Sequence, residues 1–360
     1  MIETDFLPLP LATLPEAGFT EAEAPSNIAL IKYWGKHGTQ LPKNPSISFT
    51  LDACNTRTKL YYTKKEAGKP EFDFKVFLDG EHKPQFEPKI AQFFELIQDY
   101  VPFVKEYSFK IETSNTFPHG SGIASSASGM CALAYCLVQL EAEVSQEMSV
   151  EMIEQKTSFL ARLGSGSACR SVRGPMMVWG KSESVEGSDD LYGKVFSDEL
   201  HPVFENFQDI ILLVDQGEKP VSSTVGHNLM NNHPFAAGRF EQAHENMREM
   251  IRILKEGDLE GFVKLTENEA LTLHAMMMTS DPYFILMKPN TLKIIDAIWE
   301  FRRKTGVPAC FTLDAGANVH LLFPEREKDK VLEFVKTNVV AYCQQGRYIC
   351  DSVGSGVKKP

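Results

Sequence analysis

Residues 115–140 read NTFPHGSGIASSASGMCALAYCLVQL. Just upstream, YSFKIET (107–113) alternates apolar and polar residues, the period of a half-buried strand. Downstream, Ile123 to Leu140 is apolar nearly all round, the composition of a central, buried helix. A strand that turns sharply into such a helix leaves free N–H groups at the helix start, which favour an anion, and Gly120 and Gly122 let the backbone approach it closely. Ser121, Ser125, Ser126 and Ser128 add hydroxyls for phosphate oxygens or a magnesium ion. No Gly-Lys-Ser/Thr follows, so this is not a Walker A loop. A Gly/Ser connector capped by serine is the simpler alternative. Seven hydroxyl or glycine residues within 120–129 are more than a cap needs, which favours phosphate binding.

Outward from this segment the alternation recurs in SISFTL (46–51), RTKLYYT (57–63) and FDFKVFL (72–78). In SISFTL, Ile47, Phe49 and Leu51 share one face and Ser46, Ser48 and Thr50 the other, which predicts a half-buried strand. KIAQFFELIQDYV (89–101) and EMSVEMIEQKTSFLARL (147–163) carry helical spacing, the second closed by Gly164 as a C-cap candidate. Residues 1–18 read as an irregular arm, and a strand from Phe19 runs into NIALIKYWGK. Polar text at 181–206 marks a domain boundary, giving an N-terminal domain over 19–205 and a C-terminal domain over 206–360. Beyond it come a buried strand (209–215), helices near 238–256, 258–275 and 289–304, short strands at 309–315 and 318–323, a helix at 327–339 and a last strand at 347–350. Strands first, then a mixed sheet with long helices, indicate a two-domain α+β protein.

Composition narrows the partners. A chain of 360 residues with 43% hydrophobic and 24% charged residues is an ordinary globular one, so fibrous, coiled-coil and largely disordered forms are excluded. With 37 Lys+Arg against 48 Asp+Glu the net charge is -11, which supplies no global field for nucleic acid or an anionic membrane. An anionic ligand must then be held by a few placed cations and helix N-termini. The seven cysteines form no CxxC pair and no zinc-like set, so reduced, buried thiols are expected. The first residues lack a basic n-region, and no apolar run approaches a membrane span, so a soluble cytoplasmic enzyme is expected.

Three further clusters have chemical potential. In RLGSGSACRS (162–171) small residues let the chain fold closely around a substrate, and Arg170 can grip a carboxylate or phosphate with two parallel bonds; a capped turn with an exposed arginine is the alternative. In IKYWGKHG (31–38) Lys32 interrupts an apolar strand and either snorkels to the surface or points into a polar site, while Lys36 could hold a phosphate as a point charge. In FTLDAGANVH (311–320) Asp314 ends an apolar strand before a small-residue turn, where a purely structural aspartate is also common. The nine histidines show no metal-binding spacing; His274 reads as a helix-terminal or substrate-edge residue, and Met276, Met277 and Met278 as core packing.

Taken together, APSNIALIKYWGK, NPSISFTL, FPHGSGIASSAS, GSGSACRS, VSSTVGH and FTLDAGANVH resemble, in order and spacing, the diphosphomevalonate decarboxylase family of the GHMP kinase superfamily, from about residue 20 to the C-terminus. The resemblance implies an N-terminal domain like ribosomal protein S5 domain 2, a ferredoxin-like C-terminal domain, and a site between them. It also implies ATP- and Mg²⁺-dependent decarboxylation of mevalonate 5-diphosphate to isopentenyl diphosphate, and a homodimer. By motif, Asp314 takes the place of the catalytic aspartate, Arg170 of the arginine holding the substrate carboxylate, and Lys32 of the active-site lysine. Ser165, Gly166, Ser167, Tyr33, Lys36 and Ser223 match substrate-lining positions. Asn27, Thr113, Asn115, Gly120, Ser121, Gly122, Ser125 and Ser126 match positions around the ATP phosphates, with Ser125 and Ser126 as metal candidates. Some positions depart from the pattern: His119 stands where Thr is usual, Arg173-Gly174-Pro175 replaces FGG, and His227 replaces the usual Met. A monophosphate decarboxylase, a kinase that stops at phosphorylation, and a non-catalytic relative are the competing expectations.

Overall fold

The computed structural model describes residues 1–9, 13–118, 123–145, 148–196, 200–217 and 223–360, with Ser223 and Thr224 described by backbone alone. Gly120, Ser121 and Gly122 of the Gly/Ser turn lie outside the described residues. The chain opens with a one-turn helix at Glu3–Phe6 and enters β1 (Ala17–Ile31), a small hairpin of β2 (Lys36–His37) and β3 (Leu41–Pro42), and the long β4 (Ser46–Lys64). Then follow β5 (Asp73–Leu78), β6 (Glu81–His82), α1 (Glu87–Ile97), β7 (Tyr107–Asn115), α2 (Ser125–Ser145), α3 (Val150–Gly164), β8 (Met176–Trp179) and β9 (Lys194–Val195). The second half comprises β10 (Gln208–Leu212), α4 (Ser223–Leu229), α5 (Ala236–Glu256), α6 (Leu259–Met278), α7 (Pro289–Thr305), β11 (Cys310–Thr312), β12 (Val319–Phe323), α8 (Lys328–Phe334) and β13 (Tyr348–Ser352).

The first sheet has the order β6-β5-β7-β4-β8-β9, with β1 paired antiparallel along β4. The two alternating stretches read at 46–51 and 57–63 are one continuous strand, β4. Its burial phase slips at Asp52 and Ala53, which are exposed between buried neighbours. There the backbone N–H groups of Asp52, Ala53 and Cys54 turn to the Asp351 carboxylate of β13, at 2.9, 2.8 and 2.9 Å. A side chain from the far end of the chain thus satisfies three donors that the ladder leaves unpaired at the slip.

The second sheet is antiparallel in the order β11-β12-β10-β13, which in chain order of its strands is 2-3-1-4, the ferredoxin-like arrangement. Strand β10 is buried on both faces: Ile211 joins a core shared with β1, β4, α5 and α6, whereas Ile210 and Leu212 pack with Ile294, Ile298 and Phe323 under α7. Ile28, Leu30 and Phe49 from the first sheet meet Met247, Phe262 and Leu322 from the second half in that shared core. The two halves therefore adhere through apolar burial, the dominant favourable term in such packing.

Local chemistry explains the helix ends. Ser149 caps α3 by accepting from the Met152 N–H, and Asp258 caps α6 by accepting from Gly261. Gly257 and Gly306 take left-handed φ at the ends of α5 and α7. Gly164, expected as a left-handed cap, is instead the last helical residue of α3, and Ser165 caps in extended conformation. A Cβ on Gly164 would sit 2.7 Å from the Met130 sulfur, so its role is close packing of α3 on α2. Met276 and Met277 are core, as read, but Met278 is 40% exposed.

The N-terminal arm is docked. Phe6 is 2% exposed and stacks on Phe159 of α3 with ring centroids 4.2 Å apart, its edge against Tyr192. Phe6→Ala is expected to cost about 3 kcal/mol or more of folding stability in urea titrations, the range for emptying a buried aromatic site; an unchanged midpoint would mean that the arm contributes nothing to the fold.

Candidate active site

Strand β1 carries its apolar run to Ile31 and then delivers Lys32, 1% exposed, into the seam between the two halves. Burying this stem requires every polar atom to be met. The Lys32 N–H donates to Glu269 Oε2 at 2.8 Å, and its carbonyl accepts from Asn44 Nδ2 at 2.9 Å and from Arg239 at 3.2 Å. Glu269 of α6 is itself clamped by Arg239 at 2.7 Å and by Asn246 at 2.6 Å. The ammonium then reaches Asp314, just past β11, at 2.9 Å. Burial lowers the Lys32 pKa from its ordinary value; the charges of Asp314 and Glu269 oppose that, and the nearby Arg170 adds to it. On the other side His274, buried, meets the Asp314 carbonyl at 3.1 Å.

Arg170 lies in the tight turn after α3 and is 2% exposed. Its polar partners among the described residues are neutral: Ser46 Oγ at 2.6 Å, Ser48 Oγ at 3.1 Å and Asn27 Oδ1 at a long 3.5 Å. Its guanidinium also lies 5.8 Å from the Trp179 ring centroid. A buried cation without a carboxylate partner is costly, and the missing charge is the natural place for an anionic ligand. This corrects the reading of SISFTL as half-buried: Ser46, Ser48 and Thr50 are each 0% exposed. The polar face of that strand, legible in its alternation, supports the guanidinium rather than facing water.

Of the other expected substrate residues, Tyr33, Gly166 and Ser167 pack near Arg170 through Trp179 and Asn27. Gly166 tolerates no side chain, since a Cβ would meet Trp179 at 2.8 Å and the Tyr33 hydroxyl at 3.0 Å. Ser167 offers its carbonyl to Asn27 Nδ2 at 3.1 Å, and Ser165 is half-buried beside it. Tyr33 lies edge-on to Trp179 at 4.7 Å, and burial pushes its phenol well above the ordinary value. Lys36 on β2 reaches Gln40 at 3.0 Å, and burial lowers its pKa. Ser223 opens α4, its side chain outside the described atoms.

Among the residues expected around ATP, Asn27 belongs to the Arg170 cluster, where its Nδ2 also donates to Ser171 at 2.9 Å. Asn115 and Thr113 sit on β7: Asn115 accepts from Thr56 at 2.7 Å, and Thr113 meets Thr58 at 3.2 Å. Thr56 also meets the buried Ser128 at 2.6 Å, which ties α2 to the sheet and gives Ser128 a structural role. Ser125 and Ser126 form the first turn of α2. There Lys89 of α1 donates to Ser126, and local desolvation of its ammonium together with the neighbouring Lys36 charge lowers its pKa, although the residue as a whole is exposed. Sequence reasoning missed Lys89, because a lysine in an amphipathic helix carries no local signal of what its tip will meet.

Among the described residues no group of three His, Cys, Asp or Glu side chains could hold a metal, and no helix is long and apolar enough to cross a membrane. The Glu269–Arg239 pair was equally invisible in sequence, yet it holds the Lys32 backbone. Glu269→Ala should cost about 3–5 kcal/mol by leaving a buried guanidinium uncompensated, whereas the double change Glu269→Leu, Arg239→Met should cost much less. Urea melts of the three proteins decide it, and equal losses would argue against an ion-pair anchor.

Both halves of the chain have known relatives. Residues 24–191 match the model of the diphosphomevalonate decarboxylase-like N-terminal domain, and residues 209–354 match that of the mevalonate 5-diphosphate decarboxylase C-terminal domain. The diphosphomevalonate decarboxylase of Rattus norvegicus is 30% identical over 338 residues, covering 89% of this chain and 80% of the rat protein. A structure described as "MDDEF in complex with MVAPP, AMPPCP and Magnesium" superposes with a TM-score of 0.81 at 27% identity, over 95% of this chain and 98% of that one. The mevalonate diphosphate decarboxylase of Staphylococcus aureus does so with a TM-score of 0.80 at 28% identity and the same coverage. On this ground the chain belongs to the diphosphomevalonate decarboxylase family.

Proposed function

We propose that the protein catalyses ATP-dependent decarboxylation of mevalonate 5-diphosphate to isopentenyl diphosphate, with release of ADP, phosphate and carbon dioxide. One observation carries the reading for this chain: a buried guanidinium with neutral partners, Arg170, stands close enough to the Lys32–Asp314 pair for the charges to perturb one another. A small branched acid with a tertiary hydroxyl completes that triangle. Its carboxylate supplies the anion that Arg170 lacks, and its hydroxyl meets Asp314.

The order of steps follows from the groups. Asp314 accepts the 3-hydroxyl proton as that oxygen attacks the γ-phosphorus of ATP and ADP departs. The Lys32 ammonium, desolvated and held by Asp314 while three further bonds fix its backbone, offsets negative charge building between hydroxyl and phosphoryl group without having to reorganise. Departure of the 3-phosphate with its bonding pair leaves the tertiary carbon deficient in electrons, and the pair of the adjacent bond between the methylene and the carboxylate carbon moves in to form the new double bond as carbon dioxide leaves. Arg170 keeps that carboxylate aligned through two N–H groups, while its serine partners hold the guanidinium plane. Tyr33, Lys36, Ser165, Gly166, Ser167 and Ser223 are assigned to the substrate's remaining surface, Lys36 facing its diphosphate.

The nucleotide phosphates are assigned to the start of α2, with Gly120, Ser121 and Gly122 in the turn before it, Ser125 and Ser126 in the first turn, and Asn27, Thr113 and Asn115 on the adjoining strands. Magnesium, carried in with the nucleotide, would neutralise phosphoryl charge. The Ser125 hydroxyl suits such a hard cation, whereas Ser126 holds the Lys89 ammonium, which repels a divalent ion and suits a phosphate oxygen. A domain division between 205 and 206 supports a cleft at this seam. A cytoplasmic homodimer completes the reading, consistent with free cysteines, six of the seven being buried, and with Tyr283 and Ile285, 77% and 61% exposed, as apolar surface for pairing.

Purified protein with Mg-ATP should release carbon dioxide and ADP in equal amounts from mevalonate 5-diphosphate, and Asp314→Asn should slow turnover by about 10²–10⁴-fold while ATP still binds. ADP without carbon dioxide would leave only a kinase. Lys89→Met should raise the KM for ATP about ten-fold or more with little change in that for mevalonate 5-diphosphate; the reverse pattern would move Lys89 to the substrate.

A further inference from the structure

His227 stands where the family resemblance leads one to expect methionine, and its ring is held on three sides. The backbone N–H of Gly35 donates to Nδ1 at 2.9 Å. Tyr33 packs against the ring at 4.2 Å between centroids and Trp34 at 4.6 Å. Helix α4 comes this close because residue 226 is glycine: a Cβ there would sit 2.6 Å from the Trp34 ring. A ring that accepts a backbone N–H at Nδ1 carries its proton on Nε2. Among the described residues that Nε2–H has no partner, although the side chain is 8% exposed. Burial, then the charges of Lys36 and Arg170, push the His227 pKa down to about 3, so the imidazole is neutral at any working pH and remains a one-proton donor.

The two cations that suppress its protonation are those assigned to the two charged ends of the substrate. A rigid neutral donor that packs on Tyr33, itself assigned to the substrate, and feels both charges lies where an anion would be drawn. We infer that the Nε2–H of His227 donates a hydrogen bond to an oxygen of the substrate's diphosphate, beside Lys36. This rests on the assignment of mevalonate 5-diphosphate to the cleft, and deepens it by naming a contact for the diphosphate that does not depend on a charged side chain. Holding the ring in advance means that little rotamer freedom is lost on binding.

Two substitutions separate this role from a merely structural one. In His227→Asn the side-chain oxygen can still accept from Gly35, but the distal donor is gone. In His227→Gln the amide nitrogen reaches the Nε2 position. The Asn variant is expected to raise the KM for mevalonate 5-diphosphate about ten-fold or more, with kcat and the KM for ATP within about two-fold, the loss typical of a hydrogen bond to a charged group. The Gln variant should recover most of that affinity. Calorimetric titration of wild type and the Asn variant with inorganic pyrophosphate should show the same weakening. An Asn variant that binds both ligands as wild type does, or equal losses in KM, kcat and melting temperature for both variants, would overturn the inference. A wild-type protein that binds pyrophosphate through His227 but releases no carbon dioxide would sink the decarboxylase reading and leave this contact standing.

Discussion

The contact between Lys32 and Asp314 is where the two halves of the molecule become one machine. Its ammonium belongs to the end of β1 and its carboxylate to the turn after β11, 282 residues apart in the chain. A lysine buried to this degree needs partners for its polar atoms, and here each has one: Asp314 at Nζ, Glu269 at the N–H, Asn44 and Arg239 at the carbonyl. The anchoring network reaches into α5 and α6, so those helices position a residue they never touch through its side chain tip. The apolar core beneath, built from both sheets, keeps the two ends at hydrogen-bonding distance.

Charge is distributed in the same spirit. The chain as a whole is acidic, with a net charge of -11. Inside, the carboxylates are mostly spent on neighbours: Glu269 on Arg239, Asp209 on His320 at 2.6 Å, and Asp351 on three backbone donors of β4. Arg170, Lys36 and Lys89 meet serine, asparagine and glutamine instead. Three basic groups of an acidic protein are therefore left with neutral hydrogen-bond partners. Such an arrangement discriminates between ligands by where their negative charges lie, not by total charge.

The elements that proved easiest to read were those whose period matched a single environment. Helix α2 is apolar nearly all round because most of it is buried, and Ile210 to Leu212 of β10 are apolar in succession because both faces of the strand are covered. The readings that changed were those in which a local pattern had two physical causes. SISFTL alternates as a solvent-facing strand does, but its serines are buried beneath a guanidinium. Gly164 follows a helix-like run as a cap would, but it is glycine because Met130 leaves no room. Phe6, in a proline-rich arm that reads as irregular, is core because Phe159 offers a ring to stack on.

By itself, the sequence determined the strand and helix periods, the two-domain α+β class, the Gly/Ser turn before a buried helix, and the three motifs that carry Lys32, Arg170 and Asp314. These are properties of short segments, written by the steric and solvation preferences of adjacent residues. Only the tertiary structure decided that the hydrogen-bond partners of Arg170 among the described residues are all neutral, that Lys89 reaches the start of α2, that Glu269 and Arg239 hold the Lys32 backbone, and that His227 is locked as a neutral donor. Each of those depends on atoms brought together from distant parts of the chain, where burial makes an unmet charge or donor expensive, and no local pattern records which partner will be found.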